Sequence, residues 1–178
     1  MLASIERILI TEEQIKEAVS RITKQLEEDY KDKKVLFVGL LKGSIAFMAD
    51  IVKSYSLMCQ IDFMDVSSYG SSTESSGTVN IIKDLSQSVE GKDVVIIEDI
   101  IDSGNTLSFI MQYLASKKAN SVRICTLLNK PSRRKVDIAV DYIGYDIPDE
   151  FVVGYGLDYD EYYRNLPYVG VLKRSVYS

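Results

Sequence analysis

Hydrophobic residues recur at helical spacing in three segments of the chain. Residues 11–30 carry an apolar residue every three or four positions, and Thr11 with Gln14 fits a capping box at the start of that segment. Residues 44–55 and 105–118 show the same spacing. The pattern therefore predicts a helix in each of these three segments.

Continuous apolar runs alternate with the predicted helices. The runs at 34–41, 94–97 and 121–130 are typical of strands that are buried on both faces of a parallel sheet, and shorter strands are expected at 79–83 and around Met64. A chain of 178 residues fits one domain. The alternation predicts an α/β fold with a mainly parallel central sheet flanked by helices.

Three of these strands are followed by unusual residues. The segments are LLKGS at 40–44, EDIIDSGNT at 98–106 and LLNKP at 127–131. Ligands of open α/β sheets bind in the crevice beyond the carboxyl ends of the strands. We therefore expect the three segments to form one site.

The turn DSGNT (102–106) is a candidate anion site. Backbone N–H groups at a helix N-terminus, with the helix dipole behind them, attract anions, and Ser103 and Thr106 add hydroxyl donors. The alternative is an ordinary strand–helix turn with a polar N-cap.

In the preceding strand–helix turn, Gly43 permits close approach of a ligand and Lys42 offers a positive charge, although a solvated lysine explains Lys42 equally well.

Two adjacent acids precede the candidate anion site. In an extended strand, Glu98 and Asp99 point to opposite faces, so we expect no tight carboxylate pair. Opposite faces suit two tasks, binding of sugar hydroxyls and of a hydrated Mg²⁺, which proteins hold with one or two carboxylates plus substrate phosphates. Surface acids at a strand end are the alternative.

Composition narrows the possible chemistry further. The chain contains no histidine, which excludes a nucleophile–histidine pair and leaves oxygen ligands for any metal. Cys59 and Cys125 are expected to be buried apolar residues. The formal charge of −5 argues against a nucleic-acid-coating surface. The chain shows no signal peptide and no membrane span, so a cytoplasmic location is expected.

The segment 67–78 is rich in serine, threonine and glycine. Its length and small residues favour a mobile lid over a packed connection, although a disordered hairpin tip has the same composition.

Several of these motifs together resemble a known family. The chain is similar to the hypoxanthine-guanine phosphoribosyltransferases, a subgroup of the type I phosphoribosyltransferases, from about residue 5 to residue 172. The segments that carry the resemblance are VVIIEDIIDSGNTL, LLKGS, SSYGSSTESSG, LLNKPSRR and IPDEFVVGYGLDYDEYYRNLPYVGVL.

The resemblance implies an enzyme that transfers the 5-phosphoribosyl group from phosphoribosyl pyrophosphate (PRPP) to N9 of a 6-oxopurine. It implies a type I phosphoribosyltransferase fold in a single domain, with a core at about 30–145, a flexible lid, and a small hood formed by the N-terminal segment and 146–178. Mg²⁺ would bind together with PRPP. The partners would be small molecules, with no nucleic acid and no membrane, and the chain would form a homodimer or homotetramer.

The resemblance also implies a role for individual residues. Asp102 would be the general base that accepts the purine N7 proton, and Lys130 would donate to the purine O6. The residues implied to hold PRPP are Lys42, Gly43, Ser103, Gly104, Asn105, Thr106 and Arg164, and those near the ribose and metal are Glu98, Asp99 and Asp158. The residues implied to bind the purine are Ile100, Lys130, Phe151, Val152 and Asp158, and the lid residues are Ser68 and Tyr69.

Three alternatives share the same motifs. A phosphoribosyltransferase-fold regulator would bind a nucleotide and a nucleic acid, for which Lys130–Lys135 is the basic cluster. A related enzyme would use xanthine, which differs from guanine at C2, or a pyrimidine. A catalytically inactive homologue is the third alternative, and the presence of Asp102 and Lys130 argues against it.

Overall fold

The structure, a computed structural model, describes residues 2–68 and 79–177. In chain order the elements are β1 (Ile5–Ile10), α1 (Glu12–Tyr30), β2 (Val35–Leu41), α2 (Ile45–Ser54), β3 (Cys59–Ser68), β4 (Val79–Lys83), β5 (Asp93–Ile101), α3 (Asn105–Ser116), β6 (Ser121–Asn129), β7 (Tyr142–Asp146), β8 (Val152–Val153), β9 (Val169–Leu172) and α4 (Arg174–Tyr177). Single 3₁₀ turns span Leu2–Ser4 and Pro131–Arg133.

A six-stranded sheet forms the centre of the fold. Its strand order is β4-β3-β2-β5-β6-β7, in which β4 pairs antiparallel with β3 and all the other pairs are parallel. The mainly parallel α/β architecture predicted from the sequence is therefore confirmed. A second sheet of order β1-β9-β8 is antiparallel and joins the N-terminal strand to the C-terminal region.

The central strands are buried on both faces because helices cover both sides of the sheet. In β2, Val35 and Phe37 pack in the core that contains α1 and α2, whereas Leu36 and Val38 pack in the core that contains α3. Successive side chains of a strand alternate between the faces, so a strand covered on both faces must be apolar throughout.

Helix α1 begins as the sequence predicts. The Gln14 backbone N–H donates to Thr11 Oγ1 at 3.2 Å, and the Thr11 N–H donates to Gln14 Oε1 at 2.8 Å. This reciprocal pair is the predicted capping box, which satisfies two N–H groups that the helix itself leaves free.

Strand β5 is longer than the apolar run that predicts it. The run ends at Ile97, but the strand continues to Ile101, because its backbone stays paired with β6 as far as Asn129. Glu98 and Asp99 therefore lie within a strand, where backbone pairing fixes their position.

Smaller predictions also have clear outcomes. The third helix ends at Ser116, two residues before the predicted end. Cys59 is half-buried and Cys125 buried, both are free, and burial raises the pKa of both thiols, which agrees with an inert role. In the described part of the chain, no helix combines the length and hydropathy that a membrane span requires.

Thr11→Ala tests the capping box. The substitution leaves the Gln14 N–H without its acceptor, so we expect the free energy of unfolding to fall by about 1 kcal/mol. Urea denaturation measures the change, and Thr11→Ser, which keeps a hydroxyl, should retain most of the stability. Equal stability of Thr11→Ala and the unsubstituted protein would show that the cap contributes nothing.

Candidate active site

A polar cleft of about 520 Å³ opens at the carboxyl ends of β2 and β5. The β2–α2 turn, the end of β5 and the turn before α3 line it. Two of the three strand ends that the sequence singled out therefore contribute to this cleft. The third strand end, that of β6, contributes to a neighbouring pocket through Lys130.

The turn before α3 has the geometry of an anion site. Gly104 is the N-cap of this 12-residue helix and has a φ of 82°, a left-handed conformation that glycine adopts without strain. The Asn105 N–H approaches Ser103 Oγ at 3.4 Å, and Ser103, Gly104 and Thr106 line the cleft. The N-terminus of α3, where the positive end of the helix dipole lies, is therefore at the cavity.

The β2–α2 turn lies against the acids of β5. A side chain at Gly43 would collide with the Asp99 carboxylate, so only glycine permits this approach. The preceding Leu41–Lys42 peptide bond is cis. Lys42 Nζ is 2.9 Å from Glu161 Oε2, which places its positive charge at the rim of the cleft.

Glu98 and Asp99 lie closer together than the sequence predicts. The Asp99 backbone N–H donates to Glu98 Oε1 at 3.1 Å, because the longer Glu98 side chain folds back along its own strand. Burial, followed by the charge of Asp99, raises the pKa of Glu98 well above its usual range, and burial also raises the pKa of Asp99. Both residues line the same cleft, so the predicted division between opposite faces of the strand is not seen, and a cation at this place would neutralise the two carboxylates.

Asp102 and Lys130 meet where β5 and β6 end. Lys130 is only 7% exposed, and its Nζ lies 3.5 Å from Asp102 Oδ1 and 3.8 Å from Asp149 Oδ1. The Lys130 backbone N–H donates to Ile101 O at 3.0 Å, which ties the two strand ends together. A buried ammonium group paired with carboxylates is an uncommon and costly arrangement, which indicates a binding or catalytic role.

A second pocket of about 420 Å³ adjoins the polar cleft. It shares Ile100 and Asp102 with the cleft and adds Lys130, Phe151 and Val152. It therefore combines apolar walls with a carboxylate and an ammonium group, as a site for a flat polar ring would require.

Phe151 stands at this pocket with aromatic neighbours. Its ring stacks on Tyr177 with centroids 4.7 Å apart and meets Tyr159 edge-on at 5.7 Å. Phe151 remains 39% exposed, so part of its ring surface is available to a ligand.

Arg164 and Asp158 form the opposite wall of the cleft. Arg164 Nη2 is 2.9 Å from Asp158 Oδ1, and Arg164 Nη1 donates to Gly156 O at 2.8 Å. The other Asp158 carboxylate oxygen accepts from the Glu161 backbone N–H at 2.9 Å. Within the described residues, Arg164 Nε is buried and has no hydrogen-bond partner, so this guanidinium retains a donor.

Most residues singled out from the sequence gather in these two cavities. Asn105 does not line the cleft, Ser68 is the last described residue of β3, and Tyr69 lies outside the described residues. Asp149 and Tyr177 also line the second pocket, although neither was predicted from the sequence as a site residue. Asp149 stands within the quoted segment that contains Phe151, whereas Tyr177 follows the last residue of the resemblance and has no sequence signal of its own.

Comparison with known proteins agrees with this geometry. The family model described as the phosphoribosyl transferase domain matches residues 8–160. A hypoxanthine-guanine phosphoribosyltransferase of Bacillus subtilis (strain 168) is 56% identical over 177 residues, which cover 99% of this chain and 98% of that protein. The enzyme of that name from Staphylococcus epidermidis is 54% identical over 178 residues, covering 100% of this chain and 99% of that protein.

Solved structures give the same result. A crystal structure of a hypoxanthine phosphoribosyltransferase from Staphylococcus aureus superposes with a TM-score of 0.97 at 55% identity, covering 100% of this chain and 97% of that one. The family model, the full-length identities and the shared fold therefore show that the chain belongs to the hypoxanthine-guanine phosphoribosyltransferases of the phosphoribosyl transferase domain family.

Proposed function

We propose that this chain transfers the 5-phosphoribosyl group from PRPP to N9 of hypoxanthine and guanine, giving IMP or GMP and pyrophosphate, with the help of Mg²⁺. The observation that carries the proposal is the junction of two different cavities at Ile100 and Asp102. One cavity suits phosphates and a sugar, the other suits a planar base, and the reacting carbon and nitrogen would meet where they join.

PRPP would occupy the polar cleft. The N–H groups and hydroxyls of Ser103–Thr106 would hold the 5′-phosphate, with Asn105 acting through its backbone. Lys42, the Gly43 backbone and the free donor of Arg164 would hold the pyrophosphate. Because positive groups lie at both ends of the cleft, the sugar between them would be fixed in position.

Glu98 and Asp99 fit a Mg²⁺ ion that arrives with PRPP. Burial, followed by the charge of Asp99, raises the pKa of Glu98, and a divalent cation or ribose hydroxyls would stabilise the two carboxylates at this place. Asp158 would face a second ion near the pyrophosphate. Bound Mg²⁺ would neutralise charge that develops on the leaving pyrophosphate.

The purine would lie in the second pocket. Phe151 would stack on one face of the ring and Ile100 would pack on the other. Backbone groups of Val152 and Asp158 would bind the N1 and N2 edge, and Lys130 would donate to O6, an acceptor that adenine lacks. This arrangement favours 6-oxopurines over adenine because an amino group at C6 would face an ammonium donor.

Asp102 would act as the general base. Its carboxylate is held 3.5 Å from Lys130 Nζ, at the boundary of the two cavities. As the bond between C1′ and the pyrophosphate oxygen breaks and the N9–C1′ bond forms, the N7 proton would pass to Asp102. The positively charged ribosyl transition state requires exclusion of water, for which we propose closure of Ser68 and Tyr69 over the site.

The remaining features of the family are also proposed for this chain. The hood would comprise the N-terminal segment and 146–178, since the small sheet joins β1 to β8 and β9. The core would span about 30–145, and the protein would act in the cytoplasm. A homodimer or homotetramer would form through residues 44–55, where Ile45 is 54% exposed, and light scattering measures the mass in solution.

A regulatory function is less consistent with the structure. Of the basic cluster 130–135, Lys130 is buried against Asp102, and the Arg134 side chain also points inward, where it donates to the Asp102 carbonyl. The cluster therefore offers only part of its charge, that of Arg133 and Lys135, to a nucleic acid.

A panel of bases tests the proposed function. With PRPP and Mg²⁺, hypoxanthine and guanine should each give a nucleotide and pyrophosphate, and adenine, uracil and orotate should give none. Chromatography of the nucleotides and a pyrophosphate assay measure the products. Xanthine, added as a further base, decides whether the C2 position is discriminated. No product with any base would refute the enzyme and favour the regulator.

Asp102→Asn tests the general base. Because the amide cannot accept the N7 proton, we expect kcat to fall by about 10²–10⁴-fold, while PRPP binding is kept. Steady-state kinetics with hypoxanthine and calorimetry with PRPP measure the two quantities. Asp137→Asn, at an exposed position, is the matched control and should remain fully active. Turnover of Asp102→Asn near that of the control would remove Asp102 from this role.

Lys130→Ala tests base selection. Loss of a hydrogen bond from a charged donor costs about 1.5–3 kcal/mol, so the preference for hypoxanthine over adenine in kcat/KM should fall by roughly 10–100-fold. Lys130→Met, which better preserves volume at this buried position, should give the same result if packing is not the cause. An unchanged ratio in both variants would contradict the O6 contact.

A further inference from the structure

Arg134 connects the two strand ends that carry the proposed general base and the proposed O6 donor. Its Nε donates to the Asp102 backbone carbonyl at 3.1 Å, and its Nη2 donates to the Asn129 side-chain oxygen. Asp102 follows the last residue of β5, and Asn129 is the last residue of β6. One guanidinium therefore spans the gap between these strand ends.

The anchor on β6 is itself fixed. Asn129 is buried, and its amide nitrogen donates to Asp146 Oδ1 at 2.7 Å. Asn129 also pairs with Ile101 of β5 and with Asp146 of β7 in the sheet. Arg134 is consequently held by a side chain that cannot move without disturbing three strands.

The segment that carries Arg134 packs behind the proposed phosphate turn. A Cβ atom at Gly104 would approach Arg134 Cδ, Val136 Cγ2 and Ile138 Cγ2, each at 3.1 Å. The Lys135 backbone N–H donates to Ser103 O at 3.0 Å. These contacts hold the turn from the side away from the cleft.

Arg134 does not line the polar cleft or the second pocket, so its effect on a substrate must pass through other residues. Its two hydrogen bonds flank the Asp102–Lys130 pair, whose charged groups are 3.5 Å apart. A planar guanidinium donates from separate nitrogens in fixed directions, whereas all the donors of a lysine lie on one nitrogen at the end of a flexible chain.

We propose that Arg134 is a positioning residue that sets the spacing between Asp102 and Lys130 by bonding the Asp102 carbonyl and the Asn129 side chain. The proposal rests on the proposed phosphoribosyl transfer. A displacement of about 1 Å in a reacting group, even when its cause lies far from the chemistry, can lower a rate by about 10²-fold. Loss of the Arg134 contacts should therefore lower the rate of transfer measurably.

The test compares Arg134→Ala and Arg134→Lys with Lys135→Ala. The last variant removes one positive charge from an exposed neighbouring position and keeps its backbone contact with Ser103. Single-turnover formation of IMP is the main readout, because product release can limit kcat. Steady-state KM values for PRPP and hypoxanthine complete the comparison.

We expect Arg134→Ala to lower the single-turnover rate by roughly 10–100-fold, with both KM values changed by less than about threefold, since the side chains that contact the substrates remain. Arg134→Lys should fall between Arg134→Ala and the unsubstituted protein, and Lys135→Ala should match the unsubstituted protein. A full rate in Arg134→Ala, or an equal loss in Lys135→Ala, would overturn the proposal.

A double-mutant cycle with Asn129→Ala separates positioning from a general loss of stability. If Arg134 acts through Asn129, the second substitution should add little to the loss of rate caused by the first. Fully additive losses would overturn the proposal, and Arg134→Lys provides the same comparison if Arg134→Ala does not fold. If the unsubstituted protein forms no IMP, the proposed function itself fails. If it forms IMP but the variants do not behave as expected, only the positioning role of Arg134 fails.

Discussion

The burial of two adjacent carboxylates at the end of β5 is the constraint on which the site depends. Glu98 and Asp99 lie in a cleft between β2 and β5, where burial, followed by the charge of Asp99, raises the pKa of Glu98. Burial of unpaired charge is among the most costly features of a protein, so such a pair persists where a ligand or cation repays it. The neighbouring groups follow from this constraint, because Gly43 is needed to let the β2–α2 turn approach Asp99.

The parallel sheet brings the other groups to the same edge. Carboxyl ends of β2, β5 and β6 lie side by side, so Lys42, Asp102 and Lys130 meet although they are distant in the sequence. The polar cleft and the second pocket join at Asp102, so in the proposed reaction this residue would lie between the phosphate-rich substrate and the flat aromatic one. The C-terminal region of the chain adds Phe151 and Arg164, one for each cavity.

Residues that do not line either cavity also contact the backbone near the site. The segment after the 3₁₀ turn at Pro131–Arg133 contacts Gly104 and Ser103, and its Arg134 side chain bonds both strand ends. Arg134 and Asn129 lie in the motif LLNKPSRR, but the motif does not show that they bond each other, since the partners of Arg134 are a backbone carbonyl and a side chain on a different strand. The stacking of Tyr177 on Phe151 is a second contact of this kind.

The amino-acid sequence by itself indicated the three long helices, the central strands and the family. Apolar periodicity predicted α1, with its capping box, and the apolar runs predicted β2, β5 and β6. These predictions succeed because a helix buried on one face needs apolar residues at helical spacing, and a strand buried on both faces needs them at every position. The motifs likewise identified the residues that gather in the two cavities. Only the tertiary structure decided how Glu98 and Asp99 approach each other, where Lys130 pairs, and that Arg134 and Tyr177 belong to the site's surroundings. These features depend on side-chain direction and on contacts between distant segments, which a one-dimensional pattern does not encode.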